Sequence, residues 1–265
     1  MEIGLQFLMP FNKKNITENE LSIQIFKDGF SFCNHFSKKF IPFKEIDIQS
    51  NDVFKNFLEE NAYQDFDRVT TVFIDQPATF VPNKLYNEKN IELYLSQNIP
   101  LNPLLQISRE ITQDEEIVVL YESDKNREDT LRHYFKNIDF SHFSVILYDL
   151  IQQVALTNEK TEMYINMQNN QFDLLVFNSG KLMFYNSFPH KNEEDFLYYL
   201  FAMAEQYSLD PDLYSIHFLG KYSRFNSYYE ALKNYHKEIE YTELEALDSL
   251  DSDNHPAPYF FNLMA

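Results

Sequence analysis

The first part of the chain contains three short segments with the pattern of β-strands. Residues 21–27 alternate apolar and polar side chains, which is the period-two sign of a half-buried strand. Asp28 and Gly29 follow as a tight hairpin signal, and residues 30–36 and 39–43 form a second and a third apolar segment. The pattern predicts a three-stranded meander whose last strand is an edge strand or ends at a proline.

A helix and a less regular region follow. Residues 52–63 place Val53, Phe54, Phe57 and Leu58 on one face, as an amphipathic helix requires. Pro77 and Pro82 favour a loop, and the continuous apolar run at 117–121 favours a central strand. The further predicted elements are a strand at 69–74, a loop at 76–86, a helix at 87–96, a polar connection at 97–116, a strand at 117–121, a helix at 126–136, an extended piece at 138–142 and a helix at 144–157.

The pattern then begins again. Asn192 is the predicted N-cap of the strongest helix of the chain, because three acidic residues follow it at the helix N-terminus. The elements predicted here are strands at 162–168, 171–177 and 181–187, a helix at 193–207, a strand at 214–219, a helix at 225–236 and a strand at 237–241.

The two regions align as an internal repeat. Residues 20–46 can be placed on 162–188 without a gap, and ten of the 27 positions are then apolar in both copies. Chance would give about five such positions in a chain that is 44 % apolar. Both copies continue into a helix and a strand, so a duplication explains the pattern better than two unrelated meanders. The identical pairs are Glu20/Glu162, Ile23/Ile165, Phe30/Phe172, Ser37/Ser179 and Lys39/Lys181.

Charge and cysteine content restrict the partners and the compartment. The net charge is −19, so the protein repels phosphate backbones and anionic lipid surfaces, and no nucleic-acid partner is predicted. Cys33 is the single cysteine, which excludes an internal disulfide and fits a reducing compartment. The N-terminus has no basic region before its apolar patch, and no stretch reaches the ~20 apolar residues of a membrane helix. These features predict a cytoplasmic protein.

Motifs of common enzymes are missing from the sequence. The chain has four glycines and contains neither GxGxxG nor GxxxxGK[ST], so the usual dinucleotide and P-loop phosphate sites are not predicted. None of the seven histidines has HxxxH or HExxH spacing, and His217 is expected on a polar strand face rather than on a metal. No GxSxG nucleophile turn occurs. No catalytic residue and no metal ligand is therefore predicted.

The order of elements resembles a known superfamily. Two β-β-β-α-β-α-β units in one chain look like the actin-like superfamily of actin, sugar kinases and heat-shock ATPases, and residues 117–188 are similar to the middle of pilus-assembly actin homologues. The segment TVFIDQPATFVPNKLY, residues 71–86, also resembles a small uncharacterised bacterial family with an actin-like fold. The resemblance implies an α/β fold with duplicated ribonuclease-H-like units, in which mixed sheets are flanked by helices.

The resemblance also implies three loops in a nucleotide cleft. In ATP-binding members two strand-turn-strand loops hold phosphate, and a glycine-rich loop after a late strand holds adenosine. The matching residues here are Asp28 and Gly29 in the first half, Asn169 and Asn170 in the second half, and Gly220 with Lys221 at the adenosine loop. The second loop has neither an acidic metal partner nor a glycine, and the adenosine loop has one glycine. ATP and Mg²⁺ are therefore not expected as cofactors.

The function expected from these features is protein contact. The favoured interpretation is a non-catalytic actin-like protein with a degenerate cleft, acting on a protein partner or by self-association. The alternative is a divergent nucleotide-binding ATPase or kinase that uses the cleft between the two repeats. The expected domains are a first half at 1–158, a second half at 159–245 and an acidic tail at 246–265.

Overall fold

In the residues that it describes, the structure, a computed structural model, contains three β-sheets with helices packed against them. Two sheets have five strands each, and the third has three. The described residues are 20–26, 29–34, 38–42, 58, 66–74 and 76–242.

The strands and helices follow the predicted order over most of the chain. In chain order the strands are β1 (Glu20–Ile25), β2 (Gly29–Asn34), β3 (Lys38–Pro42), β4 (Arg68–Phe73), β5 (Ala78–Pro82), β6 (Gln106–Ile111), β7 (Ile117–Ser123), β8 (Ile138–His142), β9 (Thr161–Met167), β10 (Gln171–Asn178), β11 (Lys181–Pro189), β12 (Tyr214–Leu219) and β13 (Ile239–Thr242). The α-helices are α1 (Ile91–Ser96), α2 (Lys125–Tyr134), α3 (Phe143–Ala155), α4 (Glu193–Gln206) and α5 (Asn226–Leu232), and short 3-10 turns cover Asn83–Leu85, Glu88–Asn90 and Ser223–Phe225.

The two five-stranded sheets have the same topology. The first has the order β3-β2-β1-β4-β8 and the second the order β11-β10-β9-β12-β13. In each sheet the first two pairings are antiparallel and the last two are parallel. This confirms the α/β fold class with mixed sheets, and the shared strand order supports the predicted duplication.

The offset of 142 residues also relates one buried helical residue in each half. Leu58 is helical and buried, and Leu200 lies buried in α4 at the same offset of 142 residues that relates Glu20 to Glu162. The rest of the helix predicted at 52–63 lies outside the described residues. Because three antiparallel strands followed by a strand parallel to the first are a specific topology, their occurrence in both five-stranded sheets supports the predicted duplication.

A third sheet between β4 and α2 corrects two predictions. The segment at 76–86 was predicted as a loop but contains β5, and the polar connection at 97–116 contains β6. Both are outer strands of the order β5-β7-β6, where proline at a strand end and a polar outer face are tolerated. The apolar run in β7 is the central strand, as predicted, and its pairings are antiparallel.

The inserted sheet is attached to the rest of the protein through α3. The ring of Phe80 in β5 stacks on Tyr185 in β11 at a centroid distance of 4.1 Å and meets Tyr148 in α3 edge-on at 6.0 Å. The Tyr148 hydroxyl donates to Asp114 Oδ2 at 2.7 Å, and the backbone N–H of Gln113 donates to Asp149 Oδ1 at 2.9 Å. Aromatic packing and charge-assisted hydrogen bonds therefore fix the insert next to both halves.

One large apolar core joins the elements. It contains buried side chains from both five-stranded sheets and from α3, α4 and α5. A smaller cluster of Val81, Leu95, Val118 and Leu120 joins α1 to the three-stranded sheet. The predicted N-cap of α4 is confirmed, because the Asn192 side chain accepts from the N–H of Asp195 at 2.9 Å. Among the described residues, no helix has the length and apolar character needed to cross a bilayer. The domain boundaries stay a prediction, and the tail at 246–265 lies outside the described residues.

Candidate functional site

The first of the three candidate loops is the turn between β1 and β2. Asp28 lies outside the described residues, and Gly29 is the first residue of β2. The N–H of Phe26 donates to the carbonyl of Gly29 at 2.8 Å, which joins the end of β1 to the start of β2. The side chain of Phe26 is buried, which places a large apolar group directly before this turn.

The second loop is the turn between β9 and β10, formed by Asn169 and Asn170. It closes with a hydrogen bond of 2.9 Å from the N–H of Gln168 to the carbonyl of Gln171. The Asn169 side chain accepts a hydrogen bond from the guanidinium of Arg224. The carbonyl of Asn170 accepts from the N–H of His190 at 3.1 Å. Both asparagines at the predicted site are thus engaged in contacts within the protein.

His190 fixes this second turn from outside. Its Nε2 lies 3.0 Å from the carbonyl of Gln168, and its Nδ1 lies 2.9 Å from the hydroxyl of Tyr228 in α5. A carbonyl only accepts, so Nε2 carries the proton, and Nδ1 of the neutral ring accepts from the tyrosine. Burial lowers the pKa of His190, which favours that neutral form. The turn is therefore tied to both β11 and α5.

Asp173 lies beneath the same turn and is fully buried. Its carboxylate accepts from Asn166 Nδ2 at 2.7 Å, from Gln168 Nε2 at 2.8 Å and from Ser187 Oγ at 2.5 Å. Burial raises the pKa of Asp173 to about 6, against the opposing effect of the three donors. The carboxylate is held by neutral donors, so its charged form is costly in this position.

The third loop follows β12 and contains Gly220 and Lys221. Gly220 has a φ of +76°, and its N–H donates to the carbonyl of Thr242 at 2.8 Å. A Cβ at this position would lie 2.6 Å from Cζ and from the hydroxyl oxygen of Tyr222, whose ring is buried. The Lys221 ammonium lies 5.6 Å from the centroid of the Tyr241 ring. The conformation of the chain and the packing of Tyr222 explain the glycine without a ligand.

The polar cluster around His217 lies on the neighbouring strands β9 and β12 of the second sheet. Nε2 of His217 is 3.0 Å from Ser215 Oγ and 3.3 Å from Glu162 Oε1, and the ring stacks on Tyr164. His217 therefore lies among polar groups, as predicted. In the part of the chain that the structure describes, no three His, Cys, Asp or Glu side chains form a group able to hold a metal ion.

Sequence reasoning located the turns but missed the groups that hold them. The candidate residues did not include His190, Asp173 or Tyr222. Each of them lies in a strand or shortly after one, and none belongs to a motif with a recognisable spacing. One signal was available for Asp173, since a carboxyl flanked by Phe172 and Leu174 in a strongly apolar strand must be buried or paired.

Solved structures with the same fold define the class of this protein. A protein of Bacteroides thetaiotaomicron with an actin-like ATPase fold and unknown function is 22% identical; the match covers 85% of this chain and 91% of that one, with a TM-score of 0.72. The PilM–PilN type IV pilus biogenesis complex contains a chain that is 11% identical, with 94% and 97% covered and a TM-score of 0.52. The protein therefore has the actin-like fold, and identities this low define the fold alone.

The family follows from the sequence itself. Residues 9–239 match the family described as Protein of unknown function (DUF3822), and the chain belongs to that family. No match was found among curated proteins.

Proposed function

We propose that this protein acts through contacts with other proteins and that its nucleotide cleft is degenerate. The observation that carries the proposal is the position of Tyr222, whose ring occupies the space next to Gly220 where an adenosine loop would need an open glycine. The backbone of that loop is therefore covered by the protein's own side chain. A ligand that needs close approach to the backbone would first have to displace a buried ring.

The second turn supports the same proposal. A phosphate loop presents free backbone N–H groups and a metal-binding carboxylate. Here the Asn169 side chain and the Asn170 carbonyl accept hydrogen bonds from Arg224 and His190, which fixes the shape of the turn within the protein. The carboxyl group of Asp173 is buried and accepts from three neutral donors, so it is not presented to a metal ion. Mg-ATP fits poorly with this set of residues, so neither ATP nor Mg²⁺ is proposed as a cofactor.

We propose the kind of partner from the net charge of the chain and from one solved structure with the same fold. The net charge of −19 disfavours nucleic acid and favours a protein partner, with self-association as a further form of contact. One solved structure with the same fold belongs to the PilM–PilN type IV pilus biogenesis complex, and a chain of this fold within a protein complex supports a protein partner here. A cytoplasmic location is proposed with it, from the single cysteine and the acidic composition.

Titration with Mg-ATP separates this proposal from a divergent ATPase or kinase. We expect a dissociation constant in the millimolar range, about −4 kcal/mol, and no turnover. Isothermal titration calorimetry of the full chain measures the affinity, and release of phosphate measures turnover. Tyr222→Ala tests the cause, because an opened loop should bind more tightly than the unchanged protein, whereas Tyr198→Ala on the exposed face of α4 should bind the same.

Micromolar binding by the unchanged protein would overturn the proposal. If that binding were also weakened at least tenfold by Lys221→Ala or Arg224→Ala, the cleft would hold the nucleotide and the enzyme alternative would take its place. Both cations are exposed, so these substitutions leave the core intact.

A further inference from the structure

One face of α4 carries aromatic side chains between two carboxylates. A row along the helix, at intervals of four, three and four residues, consists of Glu194, Tyr198, Phe201 and Glu205. Tyr198 is 69% exposed, Phe201 is half-buried, and both glutamates are exposed. The row therefore presents two neighbouring rings to the solvent, with a negative charge at each end.

Two further exposed side chains lie near the C-terminal half of α4. The ring of Tyr235, which follows α5, is 66% exposed, and its centroid lies 5.6 Å from that of Phe201. The next residue, His236, stacks on Tyr214 at 4.5 Å, which joins this segment to the start of β12. Leu213 directly precedes Tyr214 and is 67% exposed. We call the surface formed by these side chains the α4 patch, and its members are Tyr198, Phe201, Leu213 and Tyr235.

The α4 patch is bordered by carboxylates. Residues 192–220, which include α4 and the turn that joins it to β12, contain six Asp or Glu residues and no Lys or Arg. The two lysines that follow α5 each have an acidic neighbour: Lys233 Nζ lies 3.0 Å from Glu230 Oε1, and Lys237 precedes Glu238. The surroundings of the patch are therefore negative.

The exposed leucines of the inserted sheet have no comparable charge around them. Leu85, Leu93 and Leu104 are also exposed. Residues 83–109, which contain them, carry three basic and two acidic side chains. Single exposed apolar residues of this kind are common on protein surfaces. The combination of exposed rings with charge of one sign distinguishes the α4 patch.

We propose that the α4 patch binds a partner protein through a segment in which Lys or Arg residues flank apolar side chains. This inference rests on the proposed function and adds to it a surface and a kind of partner. Tyrosine is enriched among the residues that dominate binding energy, because its ring buries a large apolar area while its hydroxyl still finds a hydrogen-bond partner. The carboxylates at the border attract a basic segment, whereas they repel a second copy of this chain, whose net charge is −19.

Fluorescence anisotropy with labelled synthetic peptides tests the kind of partner on the full chain. The probe is a short amphipathic peptide of leucine and lysine. We expect the protein to bind it about tenfold more tightly, or better, than two comparison peptides, one with glutamate in place of lysine and one with serine in place of leucine. The affinity should fall as the salt concentration rises, because salt screens the attraction between exposed charges.

Replacing the exposed rings locates the binding. The double variant Tyr198→Ser, Tyr235→Ser should bind the leucine–lysine peptide about tenfold more weakly than the unchanged protein. The matched control is Leu93→Ser with Leu104→Ser, which removes two equally exposed apolar side chains from the inserted region and should leave the affinity unchanged. All four side chains are exposed, so the midpoint of urea unfolding should stay the same in both variants.

Replacing the border charges tests the attraction separately. Asp210→Asn with Asp212→Asn should weaken the binding of the same peptide about threefold, because two negative charges at the border are lost. The asparagine at 210 keeps the oxygen that accepts the N–H of residue 212 at 3.1 Å, so the turn should keep its shape. Glu88→Gln with Glu92→Gln, in the inserted region, is the matched control and should leave the affinity unchanged.

The inference is overturned if the two tyrosine substitutions leave the affinity for the leucine–lysine peptide unchanged, or if the glutamate peptide binds as tightly. It is equally overturned if the unchanged protein forms a dimer in analytical ultracentrifugation that the tyrosine substitutions abolish, since the patch would then hold a second copy. Either failure, together with millimolar affinity for Mg-ATP, leaves the proposed function in place. Micromolar binding of Mg-ATP overturns the proposed function whatever the peptides do.

Discussion

Replacing Gly220 by alanine is expected to lower the free energy of unfolding by about 2–5 kcal/mol. A left-handed backbone costs a residue with a Cβ about 1–2 kcal/mol, and forcing an extra methyl against a packed ring costs about 1–3 kcal/mol. Both apply here, because φ is +76° and the new Cβ would lie 2.6 Å from Tyr222 Cζ. Urea or guanidinium unfolding followed by circular dichroism measures the change.

Two further variants separate the backbone strain from the crowding. Gly180 also has a positive φ, +74°, but a Cβ added there would lie no nearer than 3.0 Å to any atom. Gly180→Ala should therefore lower the free energy of unfolding by less than Gly220→Ala. In a double-mutant cycle, Tyr222→Ala should relieve part of the cost of Gly220→Ala, with a coupling of about 1–3 kcal/mol. A stable Gly220→Ala protein that had lost nucleotide binding would instead mean that this glycine exists for a ligand.

Leu200→Ala in α4 and Leu58→Ala in the corresponding helix of the first half are each expected to cost about 2–5 kcal/mol. Leu200 is 0% exposed and Leu58 is 3% exposed, and removing a buried leucine side chain costs the transfer energy and a cavity. If the halves repeat each other, both residues fill the same place under their sheets. The two losses, measured by the same unfolding experiment, should then agree within about 1.5 kcal/mol.

Leu93→Ala supplies the control for the helix comparison. Leu93 also lies in a helix, α1, but it is 56% exposed, so the substitution should change stability by about 0.5 kcal/mol or less. If Leu58→Ala lowered the free energy of unfolding as little as Leu93→Ala does, Leu58 would not pack as Leu200 does. That result would count against the predicted repeat.

Much of the fold could be predicted because the strands of the two large sheets have clear patterns of apolar and polar residues. The alternation in β1 and the restart at β9 were sufficient to place both meanders and to expect the repeated order of elements. The inserted sheet was missed because the sequences of its outer strands have weak strand patterns. β5 is bounded by Pro77 and Pro82, and β6 contains only two apolar residues, Ile107 and Ile111. Tertiary pairing with the apolar β7 overrides those local preferences.

The candidate site was predictable only in part. The position of each turn follows from the spacing of strands, so Asn169, Asn170 and Gly220 were located correctly in turns or loops. The contacts made to these residues come from distant parts of the chain, such as Arg224 to Asn169 and Thr242 to Gly220. Contacts between residues far apart in the chain produce no periodic pattern in the sequence, so they could not be predicted from it.

The position of the inserted sheet has a consequence for the order of folding. In the first sheet Val69 pairs with Ile138, whereas in the second sheet the equivalent strands pair Ile216 with Ile239. The loop that must close is thus about three times longer in the first half, and the entropy of closing it is lost before the pairing can stabilise it. Contact order therefore favours early formation of the second half, which would then serve as a preformed surface on which the first half completes its outer strand.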